Sequence, residues 1–418
     1  MENIYISNLK IDHVRHLNNI TIPLSREKIK HLIFTGKNGS GKTSVLEALS
    51  GHLNELVISD NQKLYEDNLQ FFEKRLKELQ ACGEKNAELL EAEKNVEYYT
   101  KELERMKNGV SLEFNQPSNV LRYYFEKGEL ILAYYKADRI FKADAPKHVE
   151  KVELKDNYAL SETPREVFAK YLLDLKVTEA LARNNGKVEK ANEIKSWFDK
   201  FQDLLRKVFD DPSLKLVFEE DTFSFYIQEK DKEPFSINEM SSGFAAVLDI
   251  VLDIIVRMEK KTKRTFNFTI PGIVLVDEIE THLHLELQKN VLGLLTTIFP
   301  NIQFIMSTHS PFILNSIENV VIYDLEKKIL VENGLSDVPY GGIVEGYFNA
   351  SELSATLEKK FERYKELVNK KDLTDDDFEE IPKLEMFLDE IPDYLALNLT
   401  TEYQRLKMEL KNREDIRW

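Results

Sequence analysis

Eight consecutive residues, Gly36-Lys37-Asn38-Gly39-Ser40-Gly41-Lys42-Thr43, constrain this chain more than any other feature. They follow a compact apolar segment, His31–Thr35, that reads as a buried strand. They precede a run through Ser44, Val45, Leu46, Ala48 and Leu49 with helical spacing. A glycine-spaced turn between a buried strand and a helix is the phosphate-loop arrangement. Its glycines let the backbone curl until the N–H groups converge on phosphate oxygens, and the helix start adds the positive end of its dipole. All eight residues are therefore expected to contact a nucleotide. Lys42 would place its ammonium on the β- and γ-phosphates, and Thr43 would offer its hydroxyl to Mg²⁺.

A second apolar strand, Ile273-Val274-Leu275-Val276, ends in the adjacent acids Asp277 and Glu278. Alone it could be an ordinary core strand with an acidic tip. Beside a phosphate loop it gains a role: Asp277 holding Mg²⁺ through its water shell, Glu278 orienting or deprotonating the water that attacks the γ-phosphate. Two further motifs are ambiguous by themselves. Asn238-Glu239-Met240-Ser241-Ser242-Gly243 precedes a strongly apolar helix, Phe244 to Met258, and is either an anion site at a helix start or a plain N-cap. Ser307-Thr308-His309-Ser310-Pro311 places a histidine at the end of a third buried strand. The pair His282 and His284 is a poor metal site, because i,i+2 spacing points the two apart on a helix.

The 418 residues, 42% of them hydrophobic, suffice for a large core and two or three structural units. The formal charge of −16 means that a sequence-independent grip on nucleic acid would need a local basic patch. A single cysteine, Cys82, forms no internal disulfide, and no signal peptide or membrane span is legible, so a cytoplasmic location without a membrane partner is expected. Strands alternating with helices imply a largely parallel sheet. Ile4 to Ile22 reads as two short strands, and residues 1–58 as the N-terminal lobe of an α/β head. Residues 59–108 read as a helical hairpin inserted there, with Tyr65, Leu69, Phe72, Leu76 and Leu79 on one arm and Leu89, Ala92, Val96, Tyr99, Leu103 and Met106 on the other. Residues 109–160 read as a β-rich continuation, with Leu121–Glu126 and Glu129–Tyr135 flanking a Lys127-Gly128 hairpin turn. Residues 161–210 read as a helical subdomain, 211–333 as the C-terminal lobe with the remaining motifs, and 334–418 as a helical tail.

The order of phosphate loop, Ser-Ser-Gly signature, Asp-Glu strand and strand-end histidine resembles the ABC-type ATPase superfamily, in the branch shared with SMC, RecF and OLD proteins. The resemblance implies an α/β head with an antiparallel β subdomain and ATP and Mg²⁺ as ligands. It also implies a homodimer in which the signature of one copy, Ser241, Ser242 and Gly243, binds the ATP held by the other. His309 becomes the switch histidine, Thr281 to His284 the dimer-facing loop, and Arg15 the basic residue that SMC-like heads hold near the nucleotide. Phe244 departs from the pattern, since Glu or Gln is common there. No Q-loop glutamine is evident, and Arg139, in Tyr134-Tyr135-Lys136-Ala137-Asp138-Arg139, is a candidate contact in its place.

Val276 to His284 together with Phe299 to Pro311 is more similar still to the stand-alone ATPases of bacterial anti-phage modules, including the Septu ATPase subunit and retron-linked proteins. This implies an ATPase that dimerises on ATP, forms a higher homo-oligomer, and regulates or assembles a separate nuclease, HNH-type by preference, because no nuclease motif is visible in the chain. The alternative is a RecF- or SMC-like ATPase that binds DNA directly.

Overall fold

The alternating N-terminal residues form two antiparallel strands, β1 (Ile6–Val14) and β2 (Leu17–Pro23). β3 (His31–Thr35) is buried at every position, as a strand covered on both faces must be. In this computed structural model the described residues are 3–58, 61–81, 87–139, 148–236, 239–347, 354–390 and 397–413. Helix α1 (Lys42–Ile58) follows the glycine loop and buries Val45, Leu46, Leu49 and Leu53.

Two long helices, α2 (Asn61–Ala81) and α3 (Ala87–Met106), lie side by side. Phe72 stacks on Tyr99 with ring centroids 5.8 Å apart, and Arg75 pairs with Glu88 at 3.0 Å, a register that only antiparallel arms produce. The turn of the expected hairpin, with Cys82 and Gly83, lies outside the described residues. β4 (Val110–Phe114) then returns to pair with β1, completing a three-stranded antiparallel sheet in the order β2-β1-β4.

One expectation fails here. Residues 119–126 form a helix, α4 (Asn119–Glu126), where alternation suggested a strand. Leu121 and Phe125, four apart, are buried, while Arg122 and Glu126 pair at 2.8 Å and Tyr123 is 57% exposed. A strand would have put Leu121, Tyr123 and Phe125 on one face. Lys127-Gly128 closes this helix, the Gly128 N–H donating to the Phe125 carbonyl, so it makes no hairpin. β5 (Ile131–Tyr135) instead pairs in parallel with a strand far along the chain.

Helices α5 (Phe168–Asn184) and α6 (Val188–Phe209) pack together around Phe168, Trp197 and Phe201. A small antiparallel meander of β6 (Lys215–Glu219), β7 (Ser224–Gln228) and β8 (Phe235–Ser236) leads to α7 (Ser242–Thr262). The remaining elements of this part are β9 (Gly272–Val276), α8 (Leu285–Ile298), β10 (Ile302–Ser307), the short α9 (Pro311–Leu314), β11 (Val320–Asp324) and β12 (Ile329–Val331). The main sheet runs β12-β11-β3-β10-β9-β5, with β12 the antiparallel edge and the other five strands parallel. The fold is α/β, and β10 lies between β3 and β9.

Pro339–Trp418 is a separate unit. Helices Ala355–Asn369, Asp375–Asp389 and Leu397–Lys411 enclose their own core of Tyr364, Leu367, Ile381, Leu384, Tyr403, Leu406 and Leu410. The acidic run after Thr374 is a helix start: Thr374 and Asp377 form a reciprocal capping box, and acids there suit the helix dipole.

Helix α7 carries an unusual load of buried charge, with Asp249, Asp253, Arg257 and Glu259 all at or below 3% exposure. Arg257 donates to Asp253 at 2.7 Å and to the carbonyls of Leu132, Tyr158 and Ala159, which ties α7 to β5 and the segment after it. Glu259 accepts from the Tyr171 hydroxyl at 2.9 Å and the Trp197 indole at 2.8 Å. Burial nevertheless pushes its carboxyl up to about 7. A folded-state pKa above the unfolded one adds stability at low pH that is lost as pH rises through the folded value. The free energy of unfolding is therefore expected to fall between pH 5 and 8, with Glu259 contributing on the order of 3 kcal/mol of that slope. Urea unfolding at the two pH values should show a shallower slope for Glu259→Gln.

Candidate functional site

Because β3, β10 and β9 are parallel neighbours, their carboxyl ends share one edge of the sheet, and the three sequence motifs that follow them meet there. Residues Gly36 to Gly41 form the loop between β3 and α1, which begins at Lys42. Gly36, Gly39 and Gly41 have φ of 127°, 83° and 101°, values that side chains resist. A Cβ on Gly36 would sit 2.9 Å from Ser40 Oγ, and one on Gly41 would sit 2.9 Å from Leu17 Cδ1. Lys37, Asn38, Gly39 and Thr43 are exposed at the mouth, while Ser40 is buried with its hydroxyl unpartnered. Lys42 Nζ donates to the carbonyls of Gly36 at 2.8 Å and Lys37 at 3.1 Å. Burial holds its ammonium below the usual lysine range, against the opposing pull of Glu278, Glu280 and Asp277.

Asp277 and Glu278 lie just past β9, and their backbone is pinned on both sides. Ser307 Oγ, at the end of β10, donates to Asp277 Oδ1 at 2.5 Å and accepts the Glu278 N–H at 2.8 Å. From the other side Arg139 donates to the Asp277 carbonyl at 2.7 Å and the Glu278 carbonyl at 3.1 Å. Glu278 itself sits at φ 44°, a left-handed conformation uncommon for a glutamate. Its Oε2 accepts from Thr281 Oγ1 at 3.4 Å.

His309 follows β10. Its backbone N–H donates to Glu280 Oε1, and its Nε2 is buried without a partner. Burial and the Lys42 ammonium hold the imidazole below its usual range.

Ser241 takes the N-cap position of α7 but makes no side-chain capping bond, and both Ser241 and Ser242 are exposed. Asn238, which opens the motif, lies outside the described residues. Gly243 is buried, and a Cβ there would sit 3.0 Å from the His282 carbonyl and 3.5 Å from the His284 ring. The start of α7 therefore packs against the turn that follows Glu278. Phe244 stacks on Phe209 at 4.3 Å, which accounts for an aromatic in place of a polar residue. His282 and His284 lie in that turn ahead of α8, and among the described residues no group of three or more His, Cys, Asp or Glu could hold a metal ion. Arg15 is exposed at φ 52° in the β1–β2 turn, which packs on the glycine loop through Leu17.

Known proteins match this chain over part or most of its length. The family model described as AAA domain, putative AbiEii toxin, Type IV TA system matches residues 137–315, a span that includes Arg139, Ser241 to Gly243, Asp277, Glu278 and His309. The protein named retron Vc95 probable ATPase from Vibrio cholerae is 26% identical over 78% of this chain and 74% of its own. Septu protein PtuA from Bacillus mycoides is 24% identical over 96% of this chain. This chain is similar to the retron-linked ATPases and to PtuA. It spans about half, 52%, of the length of that PtuA. A solved SMC head bound to the C-winged helix domain of ScpA aligns with 80% of this chain and 100% of its own, at 16% identity and a TM-score of 0.40. No helix among the described residues is long and apolar enough to cross a membrane.

Sequence reasoning passed over Ser307 and Glu280, and it took Arg139 for a possible ligand contact. Arg139 is 7% exposed and spends its guanidinium on carbonyls. Ser307 stood in plain view two residues before His309, yet nothing in a strand-end serine announces which carboxylate it will meet. Ser307→Ala leaves the Glu278 N–H and an Asp277 oxygen unpartnered at a buried site, so it should cost about 1–3 kcal/mol of stability, measured by urea unfolding.

Proposed function

We propose that this chain hydrolyses ATP, that two copies close head to head over the nucleotide, and that closure regulates or assembles a separate nuclease in anti-phage defence. The observation that carries this reading is the convergence of Lys42, Asp277, Glu278 and His309 at three adjacent parallel strand ends, together with two exposed serines at the start of α7. The loop amides of Gly36 to Thr43 would cradle the triphosphate. Lys42 would exchange its bonds to Gly36 and Lys37 for phosphate oxygens, and Arg15 would add positive charge from the turn beside the loop.

Thr43 and Asp277 offer only oxygen donors, the chemistry Mg²⁺ prefers, and they would hold the ion, whose charge neutralises the phosphates when it is bound. Glu278, pinned at both its N–H and its carbonyl, would orient and deprotonate the attacking water. His309, with its Nε2 buried and unpartnered, would hydrogen-bond the γ-phosphate. Ser241, Ser242 and the Gly243 N–H would meet the ATP of the opposite copy. The names of the relatives support the setting in defence, since they belong to Septu and retron systems. The preferred partner is an HNH-type nuclease, and the homodimer would build a higher homo-oligomer.

Glu278→Gln should retain ATP affinity while turnover falls by about 10²- to 10⁴-fold, and the ATP-bound dimer should accumulate. Unchanged turnover would remove Glu278 from the catalytic role. Ser242→Arg should leave equilibrium ATP binding to one copy intact and abolish the ATP-dependent mass increase in light scattering; a variant that still doubles in mass would sink the trans role. A steep fall in double-stranded DNA affinity with salt would favour direct DNA binding over a nuclease partner.

A further inference from the structure

The segment after β5 supplies one guanidinium whose work no motif describes. Arg139 is 7% exposed, and its two terminal nitrogens reach three main-chain oxygens: those of Lys136 at 3.0 Å, Asp277 at 2.7 Å and Glu278 at 3.1 Å. Two of these belong to the acid pair, and the third closes the arginine's own turn. Burying a cation is costly, and burial holds this guanidinium below the usual arginine range against the opposing pull of the Asp249, Asp277 and Glu280 carboxylates, with its Nε buried and unpartnered. What this placement secures is a backbone that is otherwise unfavourable. Glu278 is at φ 44°, where a non-glycine residue persists only when its surroundings fix it. Ser307 Oγ takes its N–H, and Arg139, with the Thr281 N–H, takes its carbonyl.

We infer that Arg139 is a positioning residue, not a nucleotide contact: its guanidinium clamps the Asp277 and Glu278 carbonyls and holds the left-handed turn that aims the Glu278 carboxylate. The inference rests on the reading of Glu278 as the residue that activates water. A planar fork with a fixed spread of donors can span two successive carbonyls, whereas a lysine ammonium is a single point on a flexible stem and can serve one at a time. The cation is therefore necessary but insufficient, and the geometry of the fork carries the effect. A small displacement of a catalytic group is enough to lose two orders of magnitude in rate.

The test uses the full chain. Arg139→Lys, which keeps the buried charge, should lower kcat for ATP hydrolysis at least about tenfold while the equilibrium affinity for ATP stays within about threefold of wild type. Folding is checked by the shift in Tm that saturating ATP produces, which should match wild type. Combining the change with Glu278→Gln should bring much less than its separate loss, because most of what Arg139 positions is gone once that carboxylate is removed. Wild-type turnover in Arg139→Lys would overturn the inference. So would a loss of ATP affinity in step with kcat, which would make Arg139 a nucleotide contact, and so would a full additional loss in the double variant. If Glu278→Gln alone leaves turnover unchanged, the reading of Glu278 fails instead, and that outcome is distinguishable from the others.

Discussion

The parallel pairing of β3, β10 and β9 is the constraint from which the rest of the site follows. Ile305 lies opposite both Leu32 and Leu275, so the three strands run in step and end together. Every residue of the three is buried, which fixes register as strongly as burial can and leaves no slack at the ends. Segments from the beginning, middle and later part of the chain thereby deliver a lysine, two acids and a histidine to one edge. The long sequence between the first and second of them folds away as the hairpin, the helical pair α5–α6 and the β6–β8 meander without disturbing that edge.

A group of carboxylates beside a buried ammonium is held there by hydrogen bonds rather than by burial. Ser307 bridges Asp277 and Glu278, Arg139 grips their carbonyls, and Glu280 fastens the backbone of His309. Each contact joins the end of one strand to the loop of another. The charged groups are thereby fixed before any ligand arrives, and pre-set electrostatics of this kind cost no reorganisation when charge develops during a reaction. Among the buried atoms without a partner, Ser40 Oγ, Glu280 Oε2 and His309 Nε2 belong to the loops at this edge. Buried polar atoms are normally satisfied, so such atoms suit a place where phosphate and water complete the set.

The strands and the glycine loop were legible in the sequence because they rest on local signals. Residues 32–34 and 273–276 are unbroken apolar runs, and Gly36, Gly39 and Gly41 have positive φ. Residues 119–126 misled because Leu121, Tyr123 and Phe125 mimic alternation over a span too short for the helical period to show; Tyr123 is exposed, and only the tertiary environment decides it. Arg139 and Ser307 were illegible for another reason. Their partners are main-chain atoms and a carboxylate far away in sequence, and no periodicity records a contact that exists only when β5, β9 and β10 are side by side.

The signature region shows the same dependence on tertiary context. Phe244 occupies a position that is commonly polar in the superfamily, yet here it lies against Phe209 at the end of α6 and is part of the packing. A Cβ on Gly243 would sit 3.0 Å from the His282 carbonyl, so the start of α7 lies close against the turn that follows Glu278. With Phe244 turned to packing and Gly243 against the turn, the exposed side chains at the first positions of α7 are Ser241 and Ser242. Any anion that meets this helix start must therefore be recognised by two hydroxyls and the helix dipole. Two hydroxyls at a helix start suit a compact anion such as a phosphate.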